Sequence, residues 1–144
     1  MITKILVAVD GSESSKNALE QALEHSAKWN AELLVVSVVP PISSVTYMGQ
    51  HEYITHYREF LRESKKQVLK EVSSIVKNHY PDMKFETRLE EGRPSDVIVD
   101  IARNEDVDLI VMGSRGLGGI RGLVLGSTSR SVVNSCTKPI LIVK

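Results

Sequence analysis

Gly113-Ser114-Arg115-Gly116, nine further residues, and then Gly126-Ser127-Thr128-Ser129 have the types and spacing that hold a phosphate group. Six of the nine glycines in the chain fall between Gly113 and Gly126 inclusive. Glycine lets the backbone approach a ligand closely and visit positive φ. The hydroxyl-rich run from Ser127 to Ser135 reads as the opening turns of a helix, whose first N–H groups are unpaired and lie at the positive end of the dipole. Just before the glycines, Leu109-Ile110-Val111-Met112 reads as a buried strand. Two plainer roles stand beside the phosphate reading: a flexible glycine-rich connector, and a serine that is only a helix N-cap.

A second polar cluster, Val9-Asp10-Gly11-Ser12, follows the first apolar run of the chain. Asp10 has the chemistry to accept from a ribose hydroxyl or to hold a metal on a phosphate. It is equally suited to capping a helix that starts near Ser12. Other nucleotide signatures are missing. There is no G-x-x-x-x-G-K-[ST], and Arg121 stands where the third glycine of a G-x-G-x-x-G starting at Gly116 would be. His51 and His56 are five residues apart and would not share a helix face, so no metal site is expected. His25 and His79 are expected at the surface of helices.

These clusters need a scaffold. The chain has 144 residues, 42% of them apolar and 25% charged, the profile of one ordinary globular domain over residues 1–144. Eighteen basic residues balance eighteen acidic ones, which argues against affinity for nucleic acid or an anionic membrane. The densest basic cluster, Arg58 to Lys70, is interleaved with Glu59 and Glu63 and reads as an exposed helix face laced with ion pairs. Met1 leads directly into a strand-like run, so no signal peptide is expected, and no apolar stretch approaches bilayer length. The lone Cys136 suits a reducing, cytoplasmic setting and a packing role.

Five runs read as strands: Ile2 to Val9, Leu33 to Val39, Phe85 to Leu89, Leu109 to Met112 and Ile140 to Val143. All but the third are nearly unbroken in Ile, Leu and Val, the pattern of strands covered on both faces. Helical patterns fill the gaps: Ser14 to Trp29, Tyr53 to His79, Ser95 to Arg103 with Ser95 as its cap, and Ser127 to Ser135 with Val132 and Val133 inward. The inward stripe of the first includes Ala27, and that of the second includes Ile75. Pro40 to Gln50 is expected to be a loop. Strict alternation implies an α/β fold, an open five-stranded parallel sheet with helices on both faces. In such sheets ligands bind beyond the carboxyl ends of the strands, where strand order reverses.

Val9-Asp10-Gly11-Ser12-Glu13-x-Ser15, the Ser37-Val38-Val39-Pro40 strand end and the G-x2-G-x9-G-[ST] loop, in this order and at this length, resemble the universal stress protein family. The resemblance covers essentially the whole chain. It implies a Rossmann-like sheet of order 3-2-1-4-5, akin to the adenine nucleotide alpha hydrolases, and membership of the branch that binds ATP, with Mg2+. Asp10, in its turn with Gly11, and the backbone of Val38 would then hold the adenosine end. Gly113, Gly116, Gly126, Ser127 and Ser129 would hold ribose and phosphates, with Arg115 available for phosphate charge. Two positions depart from the family pattern: Thr128 replaces a usual apolar residue, and Ser37 a common His. No catalytic base is evident, so a nucleotide-dependent regulatory protein with slow or no hydrolysis is expected, acting on a signalling partner that the sequence does not name. A nucleotide hydrolase or nucleotidyl-transfer enzyme on the same fold, and a nucleotide-free interaction module, are the alternatives. Ile140 to Val143 at the sheet edge is expected to pair two copies into a homodimer.

Overall fold

The computed structural model of the chain describes residues 1–42, 51–116 and 125–144. Its strands are β1 (Lys4–Ala8), β2 (Glu32–Val39), β3 (Phe85–Glu91), β4 (Leu109–Gly113) and β5 (Ile140–Val143). They alternate with α1 (Glu13–Trp29), α2 (His51–His79), α3 (Pro94–Asn104) and α4 (Ser127–Ser135). All neighbouring strands run parallel, in the order β3-β2-β1-β4-β5. This is the doubly wound α/β fold expected from the alternation.

The unbroken apolar runs are explained by two cores. On one face Ile5, Val7, Leu33, Val35 and Val111 pack with Ala18, Leu23, Val72 and Val76 of α1 and α2. On the other, Leu6, Leu34, Val36, Ile110 and Met112 pack with Ile98, Ala102 and Val132 of α3 and α4. Alternate residues of one strand therefore enter opposite cores, and neither face is left to water. Each fully buried Ile, Leu or Val is worth roughly 1.5–3 kcal/mol over leaving it exposed.

Some sequence expectations shift. Ala27, Ile75 and Val133 lie at the edges of their helical stripes and are exposed. Ser95 is not a cap. It is buried one residue inside α3, whose N-cap is Arg93 with Pro94 in the first turn. Pro fits there because its missing N–H would have no helical partner. The expected Pro40–Gln50 loop falls mostly outside the described residues. Cys136 is half-buried against the α3/α4 core, as a packing residue should be.

Edge strand β3 is built differently from the centre, with Arg88 bridging Glu86 at 2.8 Å and Glu105 at 2.9 Å. The Arg88 guanidinium holds both carboxyls below the usual glutamate range, chiefly through these hydrogen bonds.

Candidate functional site

Going out from the middle of the sheet, β1 leads to β2 on one side and β4 stands on the other, so the order reverses between β1 and β4. The chain leaves β1 through Asp10 and Gly11. Gly11 has φ +87°, a left-handed conformation that favours glycine, and this turns the backbone into α1. Ser12 is the N-cap of α1, its hydroxyl oxygen accepting from the Ser15 N–H. The capping role open to Asp10 is thus taken by Ser12. Asp10 instead receives the Ser12 N–H at 2.9 Å and the Ser12 hydroxyl at 2.5 Å, both on Oδ1. Its other oxygen, Oδ2, faces Gly116: a β-carbon there would lie 2.9 Å away.

The turn after β1 is tied to the turn after β4. Ser14 donates to the Arg115 carbonyl at 2.5 Å. Gly113 makes this approach possible, since a β-carbon on it would stand 2.4 Å from Ser14 Oγ and 2.8 Å from the backbone of Ser14 and Ser15. Gly113 is therefore accounted for by packing. Ser114 then anchors both ends of the loop. Its N–H donates to Val143 at 2.7 Å, and its carbonyl accepts from the Gly126 N–H at 2.6 Å and the Ser129 hydroxyl at 2.9 Å. These bonds place the start of α4 beside the end of β4. Ser129 is buried and spends its proton inside the protein.

Helix α4 begins at Gly126, which offers no side-chain cap, so Ser127 is already the first helical residue. The plain N-cap role considered for Ser127 does not hold. The first intrahelical bond runs from the Arg130 N–H to the Gly126 carbonyl, so the N–H groups of Ser127, Thr128 and Ser129 have no partner within the helix. Thr128 is half-buried and Ser127 exposed at this opening.

A cavity of about 470 Å³ lies between these elements. Of the candidate residues, Asp10, Val38, Gly113, Arg115, Gly116, Gly126, Ser127, Thr128 and Ser129 line it, and Gly11 does not. Val36, Val38 and Ile98 add apolar surface to a lining that also holds the polar loop ends. Ser37 points the other way, buried and donating to the Val9 carbonyl at 2.8 Å, so it braces β2 against β1. Among the described residues no group of three or more His, Cys, Asp or Glu could hold a metal. A larger hollow, about 550 Å³, opens at the amino ends of the strands around Asn30, His79 and Tyr80, and no candidate residue reaches it.

Of the lining residues outside the predicted motif, two, Leu61 and Lys65, come from α2. The expectation of a wholly exposed basic face from Arg58 to Lys70 is corrected at Lys65, which is only 8% exposed. Its position was legible: Leu61, Lys65, Val68, Leu69, Val72 and Val76 recur at helical spacing on the buried side of α2.

A doubly wound α/β protein with a glycine-lined crevice at the reversal of its strand order is the class that fold and site define. The chain belongs to the universal stress protein family, whose profile matches residues 1–144. A universal stress protein of Thermus aquaticus is 35% identical over the full length of both chains. YxiE of Bacillus subtilis, also a universal stress protein, is 32% identical, again with complete coverage of both. Among solved structures, a universal stress protein in complex with cAMP has a TM-score of 0.73 and 27% identity, covering 99% of this chain and 97% of that one. Among the described residues no helix is long and apolar enough to cross a membrane.

Proposed function

We propose that the protein binds ATP in the crevice between Asp10 and the loop bounded by Gly113 and Ser129, and that it acts in the cytoplasm as a nucleotide-dependent regulatory protein of the stress response. The observation that carries this reading is the opening of α4: a helix start capped by a glycine without a side chain, 3.3 Å from Arg115 Cα by its missing β-carbon, across from the Asp10 carboxylate. First-turn N–H groups without an intrahelical partner and the helix dipole favour an anion there. The apolar surface of Val36, Val38 and Ile98 suits a flat base, and Asp10 Oδ2 suits a sugar hydroxyl. The cAMP complex of a relative supports an adenine nucleotide as the occupant.

Mg2+ would come with the ATP and be held chiefly by its phosphates, as this ion usually is, leaving Asp10 to the sugar hydroxyl. The ion would neutralise phosphate charge. No His, Glu or Lys of the described loop ends is placed to activate a water, so bound ATP is expected to persist for many minutes. The regulatory output would pass to a signalling protein, from a homodimer joined along β5. The test is to release the nucleotide from freshly purified protein by heat, identify it by mass spectrometry and titrate ATP by calorimetry. ATP or ADP in the released fraction and saturable ATP binding are the expected results. No binding at millimolar ATP would overturn the reading, and rapid multiple-turnover phosphate release would replace it with a hydrolase.

A further inference from the structure

Lys65 stands apart in the basic run of α2. Lys66 and Lys70 lie in solvent, as long ammonium side chains usually do, but Lys65 is 8% exposed and lines the crevice. Its Nζ donates to the Asp10 carbonyl at 3.2 Å. Among the described residues it makes no ion pair. An ammonium carries three donors, and this one meets a neutral oxygen. A buried charge is costly unless an opposite charge compensates it, and Leu or Met would fill the same place on the stripe at no electrostatic cost. Asp10, whose carbonyl Lys65 holds, borders Gly116 and the loop on its carboxylate side. The buried cation therefore sits where the β1 turn meets the glycine loop.

We infer that Lys65 is a ligand-binding residue whose ammonium meets a phosphate oxygen of the nucleotide, so that α2 helps the crevice select phosphorylated nucleosides over free ones. The inference rests on the proposed nucleotide site and deepens it. Among the described residues no carboxylate lies within ion-pair distance of Lys65, and the occupant supplies that charge.

The test compares ATP with adenosine on wild type, Lys65→Met and Lys65→Arg, by calorimetry for ATP and ligand-observed NMR for the weaker adenosine. Lys65→Met should weaken ATP roughly ten- to a hundredfold, the range for a hydrogen bond to a charged group, and change adenosine by less than about threefold. Lys65→Arg keeps the cation and should retain most of the preference for ATP. If Lys65 only braced the Asp10 turn, both ligands would weaken together in Lys65→Met, and that result overturns the inference. Unchanged ATP affinity overturns it as well. Wild type that binds neither ligand removes the nucleotide site itself, a failure distinct from these. Should Lys65→Met lose its cooperative unfolding transition, Lys65→Gln is read by the same criteria.

Discussion

Gly116 stands against the carboxylate of Asp10, with room between them for no side chain: a β-carbon on residue 116 would be 2.9 Å from Asp10 Oδ2. The carboxylate cannot swing away freely, because Ser12 holds Oδ1 with both its N–H and its hydroxyl. Gly113 is constrained differently. Its missing side chain faces backbone atoms of α1, which have no rotamer to change.

The two glycines should therefore fail in different ways. Gly116→Val is expected to abolish ATP binding and to cost less stability than a change at Gly113, since it meets the end of one side chain and not backbone among the described atoms. Gly113→Ala is expected to cost stability, roughly 1–3 kcal/mol as overpacking does, whatever the ligand. Paired calorimetry and thermal unfolding of both variants check the contrast. Equal loss of stability in both would contradict it.

Ser129 should act through the loop that it holds. Its hydroxyl donates to Ser114 at 2.9 Å and also approaches the Gly126 carbonyl at 3.2 Å. Ser129→Ala is expected to cost about 1 kcal/mol, the usual net worth of a hydrogen bond. ATP affinity should fall with it, because the start of α4 loses a tether to β4. Chemical denaturation and ATP titration of the variant measure the two effects.

Acid should loosen the joint between β1 and β4. Asp108 accepts from the Thr3 N–H at 2.9 Å, the Thr3 hydroxyl at 3.0 Å and the Lys4 N–H at 3.0 Å. These bonds, the Thr3 N–H foremost, hold its carboxyl below the ordinary aspartate value. A folded pKa below the unfolded one gives stability that is whole above the usual aspartate range and fades as pH falls through it toward the folded value. Asp108→Asn should flatten that acid limb, with its largest deficit near neutral pH. Denaturation midpoints followed from pH 7 down to pH 2 test this, and an unchanged acid limb would contradict it.

The proposed homodimer makes a prediction with a definite register. The carbonyls of Pro139 and Val143 accept from Ile110 and Ser114, so the odd-numbered positions of β5 turn toward β4. By the two-residue period, Ile140 and Ile142 direct their N–H groups to the open edge. Ile142→Pro removes an edge donor without breaking the β4 ladder and should shift a dimer toward monomer. Leu141→Pro would break the protomer instead. The other sheet edge, β3, carries Glu86, Arg88, Glu90 and Glu91, charges that discourage pairing. Light scattering at micromolar concentration gives the mass of wild type and Ile142→Pro, and a wild-type mass of one chain would remove the dimer.

Much of the architecture was legible in the chain. Runs such as Ile5-Leu6-Val7 and Leu33-Leu34-Val35-Val36 can be satisfied only by a strand with apolar cover on both faces, and the intervening helical stripes name that cover. The glycine spacing and Asp10 marked the crevice because each polar cluster directly follows such a strand. The strand order came only with the family resemblance, since no local pattern states which strands are neighbours.

What tertiary structure decided is the division of labour inside the motif. Gly113 and Gly116 are alike in sequence, but one faces the backbone of α1 and the other a carboxylate across the crevice. Ser12, not Asp10, caps α1, because the φ of Gly11 turns the chain before the helix begins. Ser129 bonds to Ser114, fifteen residues earlier, an interaction that exists only once α4 has closed on β4. Lys65 had the spacing of a core residue and the chemistry of a surface one. The spacing put it on the buried stripe, but only the packing of α2 over the turn after β1 gave its ammonium a partner, the Asp10 carbonyl fifty-five residues away in the chain.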